Sequence, residues 1–234
     1  MPSRILAIFA IPALAGFLLF VVIALLLSQP IYLLFALPAA ALITWWMWRR
    51  SDQSILAKLN TRPLGQREGE RVLNTVENLC LSSGISQPEV LTIDTKACNV
   101  ISLSGRNDAL IVTTGLLESL DVIEMEGVMA HALTKLSSGA VNYETFAASA
   151  KPFITEAQMD MARRWGTGDA GVIAFDISGV GLTRYPPGLR SALEQIDGRS
   201  TDIEGADSLG AALLIPPKGQ RVPLDHRIEV LWEL

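Results

Sequence analysis

The sequence predicts an α+β chain, with a two-helix transmembrane hairpin over residues 1–50 and a mostly helical domain with a small sheet over 51–234. Three observations lead there. The first fifty residues carry only three charged side chains, Arg4, Arg49 and Arg50. The rest of the chain alternates segments of helical period with short β-branched runs. A single ordered block, from Ala109 to Gly139, then places a strand directly before a long capped helix.

Ile5 to Leu27 is an uncharged apolar run about 34 Å long as a helix, enough to cross a hydrocarbon core of roughly 30 Å. Ser28-Gln29-Pro30 breaks it, and Ile31 to Trp48 follows as a second uncharged run of minimal spanning length. The connection is too short for a folded loop, so the two runs are expected to form a tight hairpin, with Pro12 and Pro38 as kink points. A cleaved signal peptide has a shorter core and a small-residue cleavage site, and neither is present. Basic residues flank both ends and avoid the turn, which predicts an inner-membrane protein with both termini and the soluble domain cytoplasmic. Trp45, Trp46 and Trp48 read as an interfacial aromatic belt.

Beyond the hairpin, Ser51 to Leu64 is a juxtamembrane segment ended by Pro63 and Gly65. Arg67 to Leu81 has helical spacing. Pro88 to Ile93, Val100 to Leu103 and Ala109 to Thr113 read as strands. Asp121 and Glu124 form a capping box for the next helix, whose buried stripe is Met125, Val128, Met129, Ala132, Leu133 and Leu136, and Ser137-Ser138-Gly139 ends it. Tyr143 to Trp165 is expected to be helical with an interruption near Pro152. Val172 to Thr183 is helical despite Gly179 and Gly181, Pro186-Pro187-Gly188 opens a helix ending at Ile196, and Ala211 to Ile215 is an apolar run read as a strand. Leu224 to Leu234 closes the sequence as an amphipathic helix.

Charge narrows the function. With the hairpin's three arginines set aside, 16 Lys and Arg face 24 Asp and Glu, a balance of −8. Such a body is a poor partner for nucleic acid, which needs clustered cations, and its outer surface should not bind anionic lipid on its own. Cys80 and Cys98 lack ligand spacing and are read as buried thiols.

Glu126 to Lys135 reads EGVMAHALTK, where a zinc protease carries H-E-x-x-H. A catalytic zinc needs about three protein ligands, an open position for water, and a carboxylate to take that water's proton. Here His131 stands at the first ligand, Ala132 at the general base and Lys135 at the second ligand. An ammonium repels a divalent cation, and alanine accepts no proton.

The segments TTGLLESLDVIEMEGVMAHALTKLSSG (Thr113 to Gly139), LTRYPPGLRSALEQI (Leu182 to Ile196) and PLDHRIEVLWEL (Pro223 to Leu234), in that order, resemble the HtpX-like membrane-bound zinc metallopeptidases, a gluzincin family. The resemblance covers roughly Ala97 to the C-terminus and implies a zincin-like fold, a membrane hairpin and a cytoplasmic catalytic domain. It also implies a third zinc ligand, a glutamate in an E-x-x-A-D segment. Asp176 matches that aspartate, Phe175 stands at the alanine and Val172 at the glutamate, so His131 alone survives of three ligands. His226 falls at a structural histidine of the family, and Asp169 and Asp176 are the remaining oxygen donors.

The resulting expectation is a membrane-anchored, catalytically inactive homologue with no zinc and no other cofactor. Its partners are the lipid bilayer and a membrane protein or complex that it serves as adaptor, regulator or subunit. The alternatives are an active zinc endopeptidase with an unusual ligand set, and a purely structural subunit. His131 is expected as a neutral remnant hydrogen-bonded inside the old cleft, and Lys135 as a cleft-facing or solvated ammonium paired with a carboxylate, Asp176 being one candidate. A client peptide would add to an edge strand formed by Ala109, Leu110, Ile111, Val112 and Thr113. Asn142-Tyr143-Glu144 is either surface or partner contact, and Arg163-Arg164 beside Trp165 reads as a solvated helix face or, by side-chain snorkelling, a contact with lipid headgroups.

Overall fold

The computed structural model describes residues 2–29, 31, 33–151, 154–167, 171–217 and 222–234. The side chains of 2–12, 33, 36, 37, 44, 48, 66–68, 163 and 165–167 lie outside that description, as do Pro152 and Asp169. The expectations placed on Pro12, Trp48, Arg163 and Trp165 therefore concern side chains beyond it.

The chain opens with two helices, α1 (Pro2–Leu26) and α2 (Leu33–Arg49), that pack against each other. Gly16 permits the approach, since a Cβ there would stand 3.4 Å from the Ala40 Cα. Pro38 sits inside α2 without ending it. The backbone of α1 is a 25-residue helix, but its described side chains run only over 13–26, about 21 Å of helix. Among the described residues no helix is long and apolar enough to cross a membrane. The two helices are thus present as a packed pair.

Next come α3 (Ser51–Lys58), β1 (Arg62–Pro63), α4 (Gln66–Ser83), β2 (Glu89–Ile93), β3 (Val100–Leu103), β4 (Ala109–Thr113) and α5 (Thr114–Ser119). Gly84 ends α4 in the left-handed conformation, where glycine carries no Cβ penalty. The four strands make one sheet of order β1-β2-β4-β3, antiparallel at β1/β2 and β3/β4 and parallel at β2/β4. All five residues of β4 are buried; all five pair with β2, and Ala109 to Val112 pair with β3 as well. This corrects the expectation that Ala109 to Thr113 forms an edge: β4 is an inner strand. Order in a sheet depends on where later segments return, which strand periodicity does not encode.

Six more helices follow: α6 (Val122–Ser137), α7 (Ala140–Ser149), α8 (Glu156–Thr167), α9 (Gly171–Thr183), α10 (Pro186–Ile196) and α11 (Leu224–Trp232). The capping box of α6 forms as read: the Asp121 carboxylate accepts from the Glu124 N–H at 2.8 Å, and Glu124 accepts from the Asp121 N–H at 2.9 Å. From Gly127 to Leu136 every residue of α6 is buried, well beyond the single stripe expected. The sheet and α4 cover one side, while α9 and α10 cover the other. A helix enclosed on all faces is the central pillar of a core. A second, smaller apolar cluster joins α7 to α8 through Phe146, Ala147, Ala150, Met159 and Ala162, and Met47 of α2 packs on it.

Candidate functional site

Two glycines decide how closely α6 is wrapped. A Cβ at Gly179 of α9 would stand 2.8 Å from the His131 N, and one at Gly127 would stand 2.5 Å from the Leu189 N of α10. Glycine at both places brings α9 backbone against His131 and lets α10 press on the helix start. The same contact draws Val172 and Asp176, one turn apart on α9, toward Lys135 and His131.

His131 is fully buried, with Nδ1 2.8 Å from Asp176 Oδ1. The angles are poor, and neither ring nitrogen makes a hydrogen bond of good geometry. The close approach is an electrostatic contact, not a well-formed bond. Burial, and then the charge of Lys135, push the imidazole down to about 4 against the pull of Asp176. His131 is therefore neutral at physiological pH.

Asp176 belongs to a different residue. Arg227 of α11 grips it with two bonds, Nε to Oδ2 and Nη2 to Oδ1, both 2.7 Å, and both side chains are 1% exposed. Burial raises the carboxyl pKa, yet the charge and hydrogen bonds of Arg227, helped by His131, outweigh it and hold the group well below the usual range. A bidentate guanidinium on a carboxylate is the geometry in which a buried charge is tolerated.

Lys135 does not pair with Asp176, contrary to the sequence reading. Its Nζ donates to the Leu213 carbonyl at 2.8 Å and lies 5.9 Å from the Phe175 ring centroid. Arg227 has taken the carboxylate, so a backbone oxygen is what remains. Burial pushes the ammonium down to about 7, with Arg227 adding to the shift and Asp176 and Glu144 opposing it. Ala132 faces the sheet, and its carbonyl accepts from the Ser102 hydroxyl at 3.3 Å. Val172 and Lys135 line one cavity of about 460 Å³ with Gly210, Ala211 and Leu213.

The outer edge of β3 is occupied by residues 211–215 of the chain itself. Ile101 bridges Leu213 in antiparallel register, the Leu214 N–H donates to the Val100 carbonyl at 2.9 Å, and the Ser102 N–H donates to the Ala212 carbonyl at 2.9 Å. Side chains from four elements or loops fasten this strap. Lys135 holds the Leu213 carbonyl, Arg227 Nη1 holds the Leu214 carbonyl at 2.9 Å, and Glu144 accepts from the Ala211 N–H at 2.8 Å. Asn99 both donates to the Ile215 carbonyl at 2.8 Å and accepts from its N–H at 3.1 Å.

Sequence reasoning singled out His131, Ala132, Lys135, Val172 and Asp176, and the structure gathers them around one stretch of α6. It missed the anchors. Arg227 was visible as the arginine of the C-terminal element, and Glu144 at helical spacing from Val141 and Ala148, but Asn99 gave no signal. His226 sits exposed on α11 beside Glu229, 3.8 Å away, and does not join the site.

Zinc does not fit this donor set. His131 offers one ring nitrogen, both oxygens of Asp176 are bonded to a guanidinium, Lys135 brings a cation, and Val172 has no lone pair. Among the described residues no three His, Cys, Asp or Glu side chains stand close enough to hold a metal.

Comparison with known proteins shows what the chain is similar to. A protease HtpX homolog of Dictyoglomus thermophilum is 26% identical over 215 residues, covering 76% of this chain and 71% of its own. One of Tropheryma whipplei is 28% identical over 220 residues, covering 74% and 75%. The chain is HtpX-like. A protease HtpX homolog of Bacteroides fragilis is 36% identical over 99 residues, covering 40% of this HtpX-like chain and 30% of its own. No protein-family model matches.

Proposed function

We propose that this HtpX-like chain is a membrane-anchored protein that does not hydrolyse peptides and serves a membrane protein complex as adaptor, regulator or subunit. The observation that carries the reading is the strap. An extended substrate of a cleft built on β3 and α6 would pair with the free edge of β3 and present a carbonyl to the motif helix. Residues 211–215 make that pairing, and the Leu213 carbonyl meets Lys135 in place of a metal. The strap is read as a built-in pseudo-substrate that Lys135 retains by hydrogen bonding. Clients then dock elsewhere than at this edge.

Anchorage is supported by the apolar side chains that α1 and α2 leave exposed, among them Leu14, Leu18, Leu25, Leu26, Leu34 and Leu42. A surface of this kind is too apolar for water and suits lipid. Basic residues at both ends of the pair support a cytoplasmic body.

The test is elemental analysis and peptidase assay of the purified full-length protein. The parent should carry no stoichiometric zinc and cleave no unfolded substrate. The triple variant Ala132→Glu, Lys135→His, Val172→Glu should gain zinc. Stoichiometric zinc in the parent, lost on His131→Ala, would return the chain to the active peptidases.

A further inference from the structure

We propose that the foot of α2 and the turn between β3 and β4 form a pocket for the phosphate of an anionic phospholipid. The proposal rests on the membrane reading above and adds a specific lipid contact to it. At the end of α2 the exposed apolar side chains of Leu42 and Ile43 give way to Trp45 and Trp46, each about half exposed. Arg49 then lies over the Trp45 ring, 5.4 Å from its centroid, and Arg50 over the Trp46 ring at 5.0 Å. Aromatic rings capped by arginine are the composition of a headgroup layer.

The turn supplies the other wall. Trp45, Arg49, Gly105, Arg106 and Asn107 enclose about 340 Å³. The turn is fastened to α3: the Asn107 N–H donates to Asp52 Oδ2 at 3.4 Å, and a Cβ at Gly105 would stand 2.6 Å from the Asp52 Cβ. Ser104 donates to Asp108 Oδ1 at 2.7 Å and closes the turn from the far side. Two carboxylates lie near the turn, and Asp52 reaches it through Oδ2 alone. Asp52 is 3% exposed beneath the turn, and Asp108 is engaged within it. Arg49 and Arg106 both line the opening, one on a helix and the other on the pinned turn.

Two guanidinium groups beside an aromatic wall recognise a phosphate diester by paired N–H bonds. The rest of the body is acidic, so its long-range field repels an anionic surface, and that field fades over about 8 Å of physiological salt. Attraction must come from this spot and act at short range. A phospholipid is the occupant favoured, because the pocket opens where the exposed apolar face of α2 ends.

The full-length protein, reconstituted in phosphatidylcholine nanodiscs containing a minority of fluorescent phosphatidylglycerol, gives the test through energy transfer from Trp45 and Trp46. The wild type should enrich phosphatidylglycerol roughly fivefold per pocket arginine. Arg49→Gln and Arg106→Gln should each reduce that enrichment by about the same factor. Arg50→Gln removes equal charge outside the cavity and should leave the enrichment intact. Equal losses in all three variants would mean diffuse attraction and would overturn the pocket. So would displacement of the lipid by millimolar inorganic phosphate, which marks a free-anion site. Wild type and variants should all resist alkaline extraction. If the wild type washes out of bilayers, the membrane reading fails first and the pocket with it. If it stays without preference for phosphatidylglycerol, the pocket alone fails.

Discussion

At the scale of single residues, two buried cations stand around the helix segment that resembles a metal-binding motif. Lys135 and Arg227 bring two positive side chains into the core, and Asp176 answers only one of them directly. Arg227→Met should leave the Asp176 carboxylate buried and unpaired, destabilising the fold by about 3–5 kcal/mol in chemical denaturation. The two lowered bases give stability a definite pH dependence. His131 titrates near 4 when folded and 6.5 when unfolded, so the unfolded state binds more protons between those values. Stability should fall as pH drops from 6.5 to 4, by on the order of 3 kcal/mol, and His131→Gln should remove that slope. Lys135 titrates near 7 when folded and 10.5 when unfolded. Stability should therefore rise as pH climbs through that window, and Lys135→Met should flatten the rise.

At the scale of elements, the strands and most helices were legible because their periods are set locally. Val100 to Leu103 and Ala109 to Thr113 appear where the pattern put them, and the α6 cap follows from Asp121 and Glu124. Strand order was not legible, because nothing within Ala109 to Thr113 says that β2 and β3 will flank it. Val172 and Asp176 were legible through the resemblance to the family's E-x-x-A-D segment, whereas the pairing of Asp176 with Arg227 joins residues far apart in the chain. Gly179 weakened the reading of α9 as a helix, since glycine disfavours helix interiors by about 1 kcal/mol. The structure gives the reason for it: the residue stands against the His131 backbone. Gly179→Ala should cost about 1–3 kcal/mol through overpacking, measured by thermal or urea unfolding, whereas Gly181→Ala, with open space around it, should not destabilise. The strap offers a separate check. Glu144→Ala removes the acceptor for the Ala211 N–H, so amide exchange over 211–215 should accelerate selectively while β4 stays protected.

At the scale of the whole molecule, charge and hydropathy divide along the sequence: a pair of apolar helices at one end, an acidic body at the other. Met47 ties the two through the cluster of α7 and α8. The composition made the division readable, and the comparison with HtpX homologs agrees with the family read from three ordered segments. Replacing Met47 with a charged residue, as in Met47→Glu, should loosen the body from α2. Faster proteolysis between Arg49 and Leu64 would register it, with the unfolding midpoint of the body little changed.

The order of synthesis gives the strap a last consequence. Residues 211–215 and Arg227 are translated after the sheet edge, the motif helix and the aspartate they fasten. A nascent chain that has already formed β3 and α6 therefore displays a bare strand rim and an unsatisfied buried acid until the ribosome has delivered them. During that interval the newborn protein is open to pairing with a neighbour, and chaperone demand should end only when Arg227 closes over Asp176.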